Sequence, residues 1–441
     1  MAPDRYDVVV VGARCAGASL AALLARGGAR VALLERASFP SDTLSSHLFE
    51  ADALAFLDRL GVTEGLRATG APMVNRTDTR VEDVSLQIAL PQSPGDVGGM
   101  ASVRRHLLDP LLAGAAEEAG AELRTRTEVT ALVYDGDRVT GVRAGGAGER
   151  EQTELRARLV VGADGRHSTI AKLCGARRYN LTPNRRLLYW AFFEGADAGP
   201  EPTFLSHRWG DRFILSTPSD SGLHQVLIWP EKSERERFGA DVDAAFVEHA
   251  RTCEPVADSL AGARQVGKVL GAVSWEGFFR ESSGGGWVLC GDAGHFKSPG
   301  PGRGIGDAFI QAESLATTIL GALDGGDAAL DGAMRRWGRR RDREFAGHYW
   351  LAYDLEEEGG VPAVLVEILR DLHAEGRAGL FFDLLNHRAR PSQVLAPPRV
   401  LRASARLLRR PGRRSLLSEL GALGARDARR RWRNRRPSYA V

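Results

Sequence analysis

The stretch Val8-Val9-Val10-Val11-Gly12-Ala13-Arg14-Cys15-Ala16-Gly17-Ala18-Ser19-Leu20 decides the fold. Four β-branched residues in a row predict a strand buried on both faces, as in a parallel sheet. Gly12 to Gly17 is the turn. Residues 18–25 are small and apolar and predict a close-packed helix, stopped by Gly27-Gly28. Val31–Leu34 reads as a second strand ending at Glu35-Arg36. The sum is a βαβ unit. Gly12 and Gly17 are the first and third glycines of a Gly-x-Gly-x-x-Gly turn, with Arg14 at the middle position. Such a turn sets a helix N-terminus against a pyrophosphate. Glu35 ends the second strand, where an acid accepts from a ribose hydroxyl. Its other reading is a surface acid at a strand end, and the βαβ context favours the ribose.

Outward from this unit the periodicity predicts helices over 48–60 and 105–119, the latter with Pro110 in its first turn. Residues 127–143 read as a hairpin turning at Asp135-Gly136. Leu159-Val160-Val161 is a buried strand closed by Gly162-Ala163-Asp164-Gly165. From 180 to 280 aromatics and alternating patterns predict a separate sheet layer. Gly284-Gly285-Gly286 leads back to a strand at 287–290, and the chain reads as helical from 307 onward.

Composition narrows the class. At roughly 150 residues per domain, 441 residues make two or three units. An apolar share of 43% excludes wholesale disorder. Cys15, Cys174, Cys253 and Cys290 are scattered without a Cys-x-x-Cys pair, so neither a metal site nor a disulfide scaffold is expected, and a reducing cytoplasm suits them. No stretch reaches about 18 apolar residues, so no transmembrane helix is expected, and no targeting signal is read at the N-terminus. The net charge of +3 conceals an asymmetry: residues 401–441 hold 13 Arg against Glu419 and Asp427, a net +11, which leaves −8 for the rest.

Two further loops carry chemistry. One is Gly162-Ala163-Asp164-Gly165. The other is Cys290-Gly291-Asp292-Ala293-Gly294-His295, followed by Pro299-Gly300-Pro301-Gly302-Arg303-Gly304-Ile305-Gly306 and a helix. Asp292 closes a strand and can accept from a sugar-like hydroxyl. The glycine loop offers N–H groups and a helix dipole to a ring that becomes anionic on reduction. Each alone reads as an ordinary strand-to-helix loop; their order and spacing together do not.

On these residues the chain resembles the class A FAD-dependent monooxygenases, the group typified by para-hydroxybenzoate hydroxylase. It is also similar to their relatives, the geranylgeranyl reductases and flavin-dependent halogenases. The resemblance covers about residues 5–330. It rests on Gly12, Gly17 and Glu35, on Arg105-His106-Leu107-Leu108-Asp109 as the Arg-x-x-Leu-Asp helix start, on Asp164-Gly165, and on Gly291-Asp292 with Pro299, Gly302 and Gly304. It implies an α/β chain: a Rossmann-like, three-layer FAD-binding domain with a mostly parallel sheet, an inserted antiparallel substrate sheet and a helical C-terminal region. The expected division is 1–178 and 283–325 for the FAD unit, 179–282 for the substrate sheet and 326–441 for the helical region with its basic tail.

The resemblance further implies non-covalent FAD. Gly12, Ala13, Arg14, Cys15, Ala16 and Gly17 would hold the pyrophosphate, and Glu35 the adenosine ribose. Val129 would meet the adenine through its backbone, Arg105 the ribityl or phosphate region, and Asp292 the ribityl chain. Gly302, Gly304 and Ile305 would lie against the pyrimidine edge. Arg36, Asp164, Gly165, Gly291 and Pro299 complete the set. Family members often have an Arg near the phosphates about twelve residues after the ribose acid; His47 stands there, and a cofactor contact and a helix N-cap by Ser45 or Ser46 are equal readings. No catalytic residue declares itself; His47, His295 and Pro299 are the candidates, and no metal site is expected. Arg14 is expected to contact phosphate, and Gly306 and Gln311 depart from the hydroxylases' Asn and Asp.

The implied reaction is insertion of one oxygen atom into an organic molecule, by hydroxylation or epoxidation through a flavin C4a-(hydro)peroxide, with electrons from NAD(P)H or from a partner flavin reductase. The substrate expected is small and apolar or aromatic; Trp190, Phe193, Phe213 and Trp229 are candidate pocket walls. Reduction of isoprenoid double bonds and halogenation are the alternatives on this scaffold. A non-enzymatic flavoprotein docking its basic tail on membrane or nucleic acid is the third; packing of the tail on the body is preferred to it.

Overall fold

The computed structural model describes residues 4–41, 43–146, 152–409, 415–435 and 439–440. Five strands run parallel in the order Glu122–Arg124, Val31–Leu34, Asp4–Val11, Thr153–Gly162 and Trp287–Leu289. Burial on both faces is explicit in the first strand. Val8 and Val10 join the core under the helices Cys15–Arg26, Arg105–Glu118 and Gly304–Leu320. Val9 and Val11 join the opposite core with Val129, Val139 and Val142 of the hairpin Glu128–Asp135/Arg138–Gly145. Helices, parallel sheet and hairpin are the three layers of the Rossmann-like unit.

The inserted sheet has seven strands, in the order Arg264–Ala272, Leu188–Glu194, Leu223–Ile228, Arg212–Pro218, Thr203–Trp209, Arg76–Val81 and Val84–Ala89. It is not confined to 179–282. Its last two strands come from the stretch placed with the FAD unit, and Arg76–Val81 pairs parallel to Thr203–Trp209 in an otherwise antiparallel sheet. One face carries Trp190, Phe192, Phe213 and Trp229. The other carries Tyr189, Ala191, Phe193 and Val226 and is covered by helices at Arg235–Ala240, Val242–Arg251 and Glu254–Ser259. Those helices lie inside the region read as sheet alone. A small third sheet joins His295–Phe296, Glu276–Arg280, Arg178–Pro183 and Tyr439–Ala440.

Two local expectations are corrected. The helix expected at 48–60 begins only at Ala51, because Leu48–Glu50 pairs as a strand with Met100–Ser102. Pro110 lies in the second turn of Arg105–Glu118, not the first.

The C-terminal region is helical, led by the 29-residue helix Asp327–Leu355. Its basic tail folds back onto the body. Arg426 and Arg430 pair with Asp354, Arg426 also with Glu357, and Arg430 lies over the Trp350 ring. Asn434 accepts from Asn180 and from Trp350 Nε1. Among the described residues no helix is long and apolar enough to cross a membrane.

Candidate active site

One cavity of about 530 Å3 is lined by the C-terminal ends of Asp4–Val11 and Val31–Leu34 and by residues just beyond Glu122–Arg124, Thr153–Gly162 and Trp287–Leu289, the place where open α/β sheets receive ligands. The glycine turn forms one side. Gly12 has φ 99°, and a Cβ there would sit 2.6 Å from the Ala163 carbonyl oxygen. A Cβ on Gly17 would sit 1.8 Å from the Gly12 carbonyl oxygen. The two glycines therefore let the turn fold against itself and against the strand end at Ala163. Glu35 locks the turn: its Oε2 accepts from Ala13 N (2.9 Å) and its Oε1 from Ala37 N (3.0 Å). It is buried yet lines the cavity.

Arg14 also lines the cavity, but its guanidinium already has partners. Nη1 donates to Asp109 Oδ2 (2.9 Å) and Nη2 to Ser41 Oγ (3.0 Å). Arg105 holds the same carboxylate through Nε (2.7 Å) and Nη2 (3.1 Å). Asp109 is fully buried between the two arginines and so ties the glycine turn to the Arg105–Glu118 helix. Cys15 beside them is a neutral thiol, its pKa pushed up to about 12, chiefly by burial.

The two aspartates face the cavity from neighbouring strand ends. Asp164 Oδ2 accepts from Thr169 N (2.6 Å) and Ile170 N (3.2 Å), whereas its buried Oδ1 has no protein partner. That free acceptor in the cavity wall suits a polyhydroxylated ligand. The Asp292 carboxyl lies deep in the cavity, and withdrawal from bulk water, then the nearby Asp307, push its pKa up to about 6. The departures at Gly306 and Gln311 have local reasons. Gln311 Oε1 accepts from Gly291 N (3.1 Å) and holds the Asp292 loop. A Cβ on Gly306 would lie 2.8 Å from the Arg303 guanidinium carbon, so glycine leaves room for that side chain. Arg303 is 1% exposed and pairs with Glu50 (2.7 Å) and Asp52 (2.6 Å) beneath the loop.

The cavity wall thus brings together Gly12, Arg14, Cys15, Ala16, Glu35, Arg36, Arg105, Val129, Asp164, Gly165, Asp292, His295, Pro299, Gly302, Gly304 and Ile305. Ala13, Gly17 and Gly291 stand behind it as backbone supports. His47 is not in the wall. It is 2% exposed, its Nδ1 accepts from Arg105 N (3.2 Å), and its ring packs edge-on against Trp190 and Phe192. Burial, with Arg105 beside it, pushes its pKa down to about 3, so it is a neutral strut. Neither Ser45 nor Ser46 caps the following helix; Ser45 Oγ accepts from His47 N instead. His295 touches the cavity, but its ring sits among Phe279, Phe345 and Tyr349, and burial, then Arg341, hold its pKa well below the usual imidazole range.

The inserted sheet contributes Leu188, Trp190 and Ala272 to the wall, and the segment after it contributes Trp275. Of the four aromatics singled out in the sequence only Trp190 is there. Phe213 and Trp229 stack on each other in the sheet core, and Phe193 packs on Phe246 on the far face. Sequence reasoning missed Trp275, Lys297 and Asp307 in this wall. Lys297 carried a signal, as one of only four lysines in the chain.

The family and the fold have known counterparts. A family model described as "FAD binding domain" matches residues 5–337. The 6-methylpretetramide 4-monooxygenase of Streptomyces rimosus is 31% identical over 356 residues, 77% of this chain and 81% of that protein. The digeranylgeranylglycerophospholipid reductase of Methanosarcina acetivorans is 27% identical over 359 residues, 78% and 82% of the two chains. The solved structure of the myxobacterial chondrochloren halogenase superposes with a TM-score of 0.70 at 22% identity, covering 87% of this chain and 92% of that one, and so matches in fold.

Proposed function

The chain belongs to the FAD-binding-domain family and is an FAD-dependent oxidoreductase, and from that premise we propose that it is a monooxygenase of a small, apolar or aromatic molecule. The observation that carries this reading is the cavity itself. Flavin-type motifs form part of its wall, and Trp190 of the inserted sheet and Trp275, in the segment between Arg264–Ala272 and Glu276–Arg280, add two aromatic side chains to it. That is a slot for a flat substrate over a redox ring.

FAD supplies the redox chemistry and the oxygen activation when bound. The protein's part is positioning and exclusion of water. In this reading the Gly12–Gly17 turn and the N-terminus of Cys15–Arg26 receive the pyrophosphate. Glu35 and Arg36 take the adenosine ribose, and the Val129 backbone takes the adenine. Arg105 reaches the ribityl or phosphate region, and Asp292 with the free Oδ1 of Asp164 accepts from ribityl hydroxyls. Pro299 and the N–H groups of Gly302–Ile305 would meet the pyrimidine edge of the ring. Leu188, Trp190, Ala272 and Trp275 keep water from the substrate side. NAD(P)H, directly or through a partner reductase, delivers the electrons, and the scattered free cysteines suit a cytoplasmic setting.

Arg14 keeps a place in this scheme as a phosphate contact, with Asp109 as the anchor that aims it. Arg14→Gly is expected to weaken FAD binding about tenfold, roughly 1.4 kcal/mol, measured by fluorescence titration of the apoprotein. Unchanged affinity would leave Arg14 with the structural link to Asp109 alone.

The functional test is substrate-stimulated NAD(P)H oxidation with matching oxygen uptake across a panel of aromatic and polycyclic compounds. Reduction of an isoprenoid double bond without oxygen is the second reading. A relative that favours it is the Methanosarcina acetivorans reductase, which aligns over 78% of this chain.

A further inference from the structure

One buried cation in the cavity wall has no part in the motifs above. The Lys297 side chain is 5% exposed, and it lines the same cavity as Pro299, Gly302 and Ile305. Its Nζ lies 2.5 Å from Oδ2 of Asp307, in the first turn of the Gly304–Leu320 helix. His387 Nε2 accepts from the same Nζ at 3.3 Å. His387 reaches in from just beyond the helix Gly379–Leu385, held at φ 58°, and stacks on His348 with ring centroids 3.6 Å apart. Two separate segments, the Gly304–Leu320 helix and the turn after Gly379–Leu385, thus converge on one ammonium. Of the neighbouring cations, Arg303 pairs with Glu50 and Asp52 and brings its Nε to 4.0 Å from Asp307 Oδ1, while Arg14 and Arg105 are turned to Asp109. Burying an ammonium costs several kcal/mol even when it is paired. A leucine or methionine would fill this wall at no such cost.

We propose that Lys297 sets the reduction potential of the flavin: its ammonium, held by Asp307 and His387, supplies positive charge that favours the reduced, anionic ring. The proposal rests on the reading of this cavity as the flavin site and is independent of whether oxygen is inserted. Charge beside the ring tunes flavin electronics, and a site sheltered from water transmits it over several ångströms. Lys297 and Asp307 line the cavity with opposite charges. Removing each must therefore move the flavin in opposite directions.

The experiment is a set of midpoint potentials on FAD-loaded protein: the parent, Lys297→Met, Lys297→Arg and Asp307→Asn. Lys297→Met is expected to shift the reduction equilibrium about tenfold toward oxidised flavin, about 30 mV for the two-electron couple, and Asp307→Asn about as far toward reduced flavin. Lys297→Arg, which keeps the charge, is expected to stay within about twofold of the parent. If Lys297→Met does not fold, the upward shift of Asp307→Asn supports the proposal, and its absence overturns it. A salt bridge with only a structural role would move both neutral variants the same way, through loosened packing. That result, or shifts below about twofold in both, overturns the proposal. Failure of the cavity reading is a separate result: Gly17→Ala would then retain FAD with parental affinity.

Discussion

Gly17→Ala is expected to lose FAD affinity by about a hundredfold, close to 3 kcal/mol, and to purify largely without its flavin colour. The reason is backbone geometry, not side-chain chemistry. The added methyl would lie 1.8 Å from the Gly12 carbonyl oxygen and 3.0 Å from its carbon. Neither atom belongs to a flexible side chain that can swing away. Gly12 itself is pinned: its N–H donates to Leu34 O (2.7 Å), and even a Cβ there would run into the Ala163 and Asp164 backbone. The helix must therefore back away from the turn, and with it the N–H groups that face the pyrophosphate. Gly114→Ala is the control. It lies in the Arg105–Glu118 helix with nothing near the new methyl, and it should bind FAD normally and gain a few tenths to about 1 kcal/mol of stability. Equal FAD affinity in both variants would mean that the Gly12–Gly17 turn does not hold the cofactor.

Arg303→Met is expected to be the most destabilising substitution under the flavin loop, by about 3–5 kcal/mol at pH 8. It leaves Glu50 and Asp52 as buried carboxylates without their cation. Burial already pushes Glu50 up to about 7 although Arg303 lies beside it. Burial also raises Asp52, but the Arg303 guanidinium outweighs it and holds that carboxyl below its ordinary value.

The signs of the two carboxyls differ. Glu50, raised in the folded state, stabilises fully below its ordinary 4.5 and loses that contribution as pH rises through about 7. Asp52, lowered, contributes stability above its ordinary 3.8 and loses it as pH falls below that. Without Arg303 both carboxyls favour protonation in the folded state, so the variant should recover part of its stability between pH 8 and pH 5. Urea midpoints at the two pH values measure this. A loss below about 1 kcal/mol at pH 8, or no recovery at pH 5, would show that water reaches and solvates these carboxylates.

The parts of the fold that were legible in the sequence are those set by neighbouring residues. The Val8–Val11 run, the Gly12–Gly17 turn and Glu35 define a βαβ unit within 30 residues, and hydrophobic periodicity needs no tertiary information there. The loops at Asp164 and Asp292 were legible because each follows a strand whose end is buried and carries a glycine next to the acid. What stayed hidden depends on contacts between distant segments. Arg76–Val81 enters the inserted sheet by pairing with Thr203–Trp209 more than 120 residues away, and its polar, half-exposed pattern does not announce that sheet. The helices between Arg235 and Ser259 are short and lie among strand-like aromatics, where composition drowns helical periodicity.

The same distinction runs through the site. Arg14 reads as a free cation beside phosphate until Asp109, 95 residues on, is seen to hold it. His47 stands in sequence where a cofactor contact belongs, yet the strand Leu48–Glu50 turns its ring into the core against Trp190 and Phe192. Lys297 looks like a loop lysine until His387, 90 residues away, closes over it.

The most direct test of the central claim is product analysis by mass spectrometry under labelled dioxygen. FAD-loaded protein, NAD(P)H and a panel of aromatic and isoprenoid substrates would be incubated with and without oxygen. A monooxygenase yields a product carrying one labelled oxygen atom, formed only when oxygen is present. A product that has gained two hydrogens in the absence of oxygen, or one that has gained a halogen when halide is added, would contradict that claim.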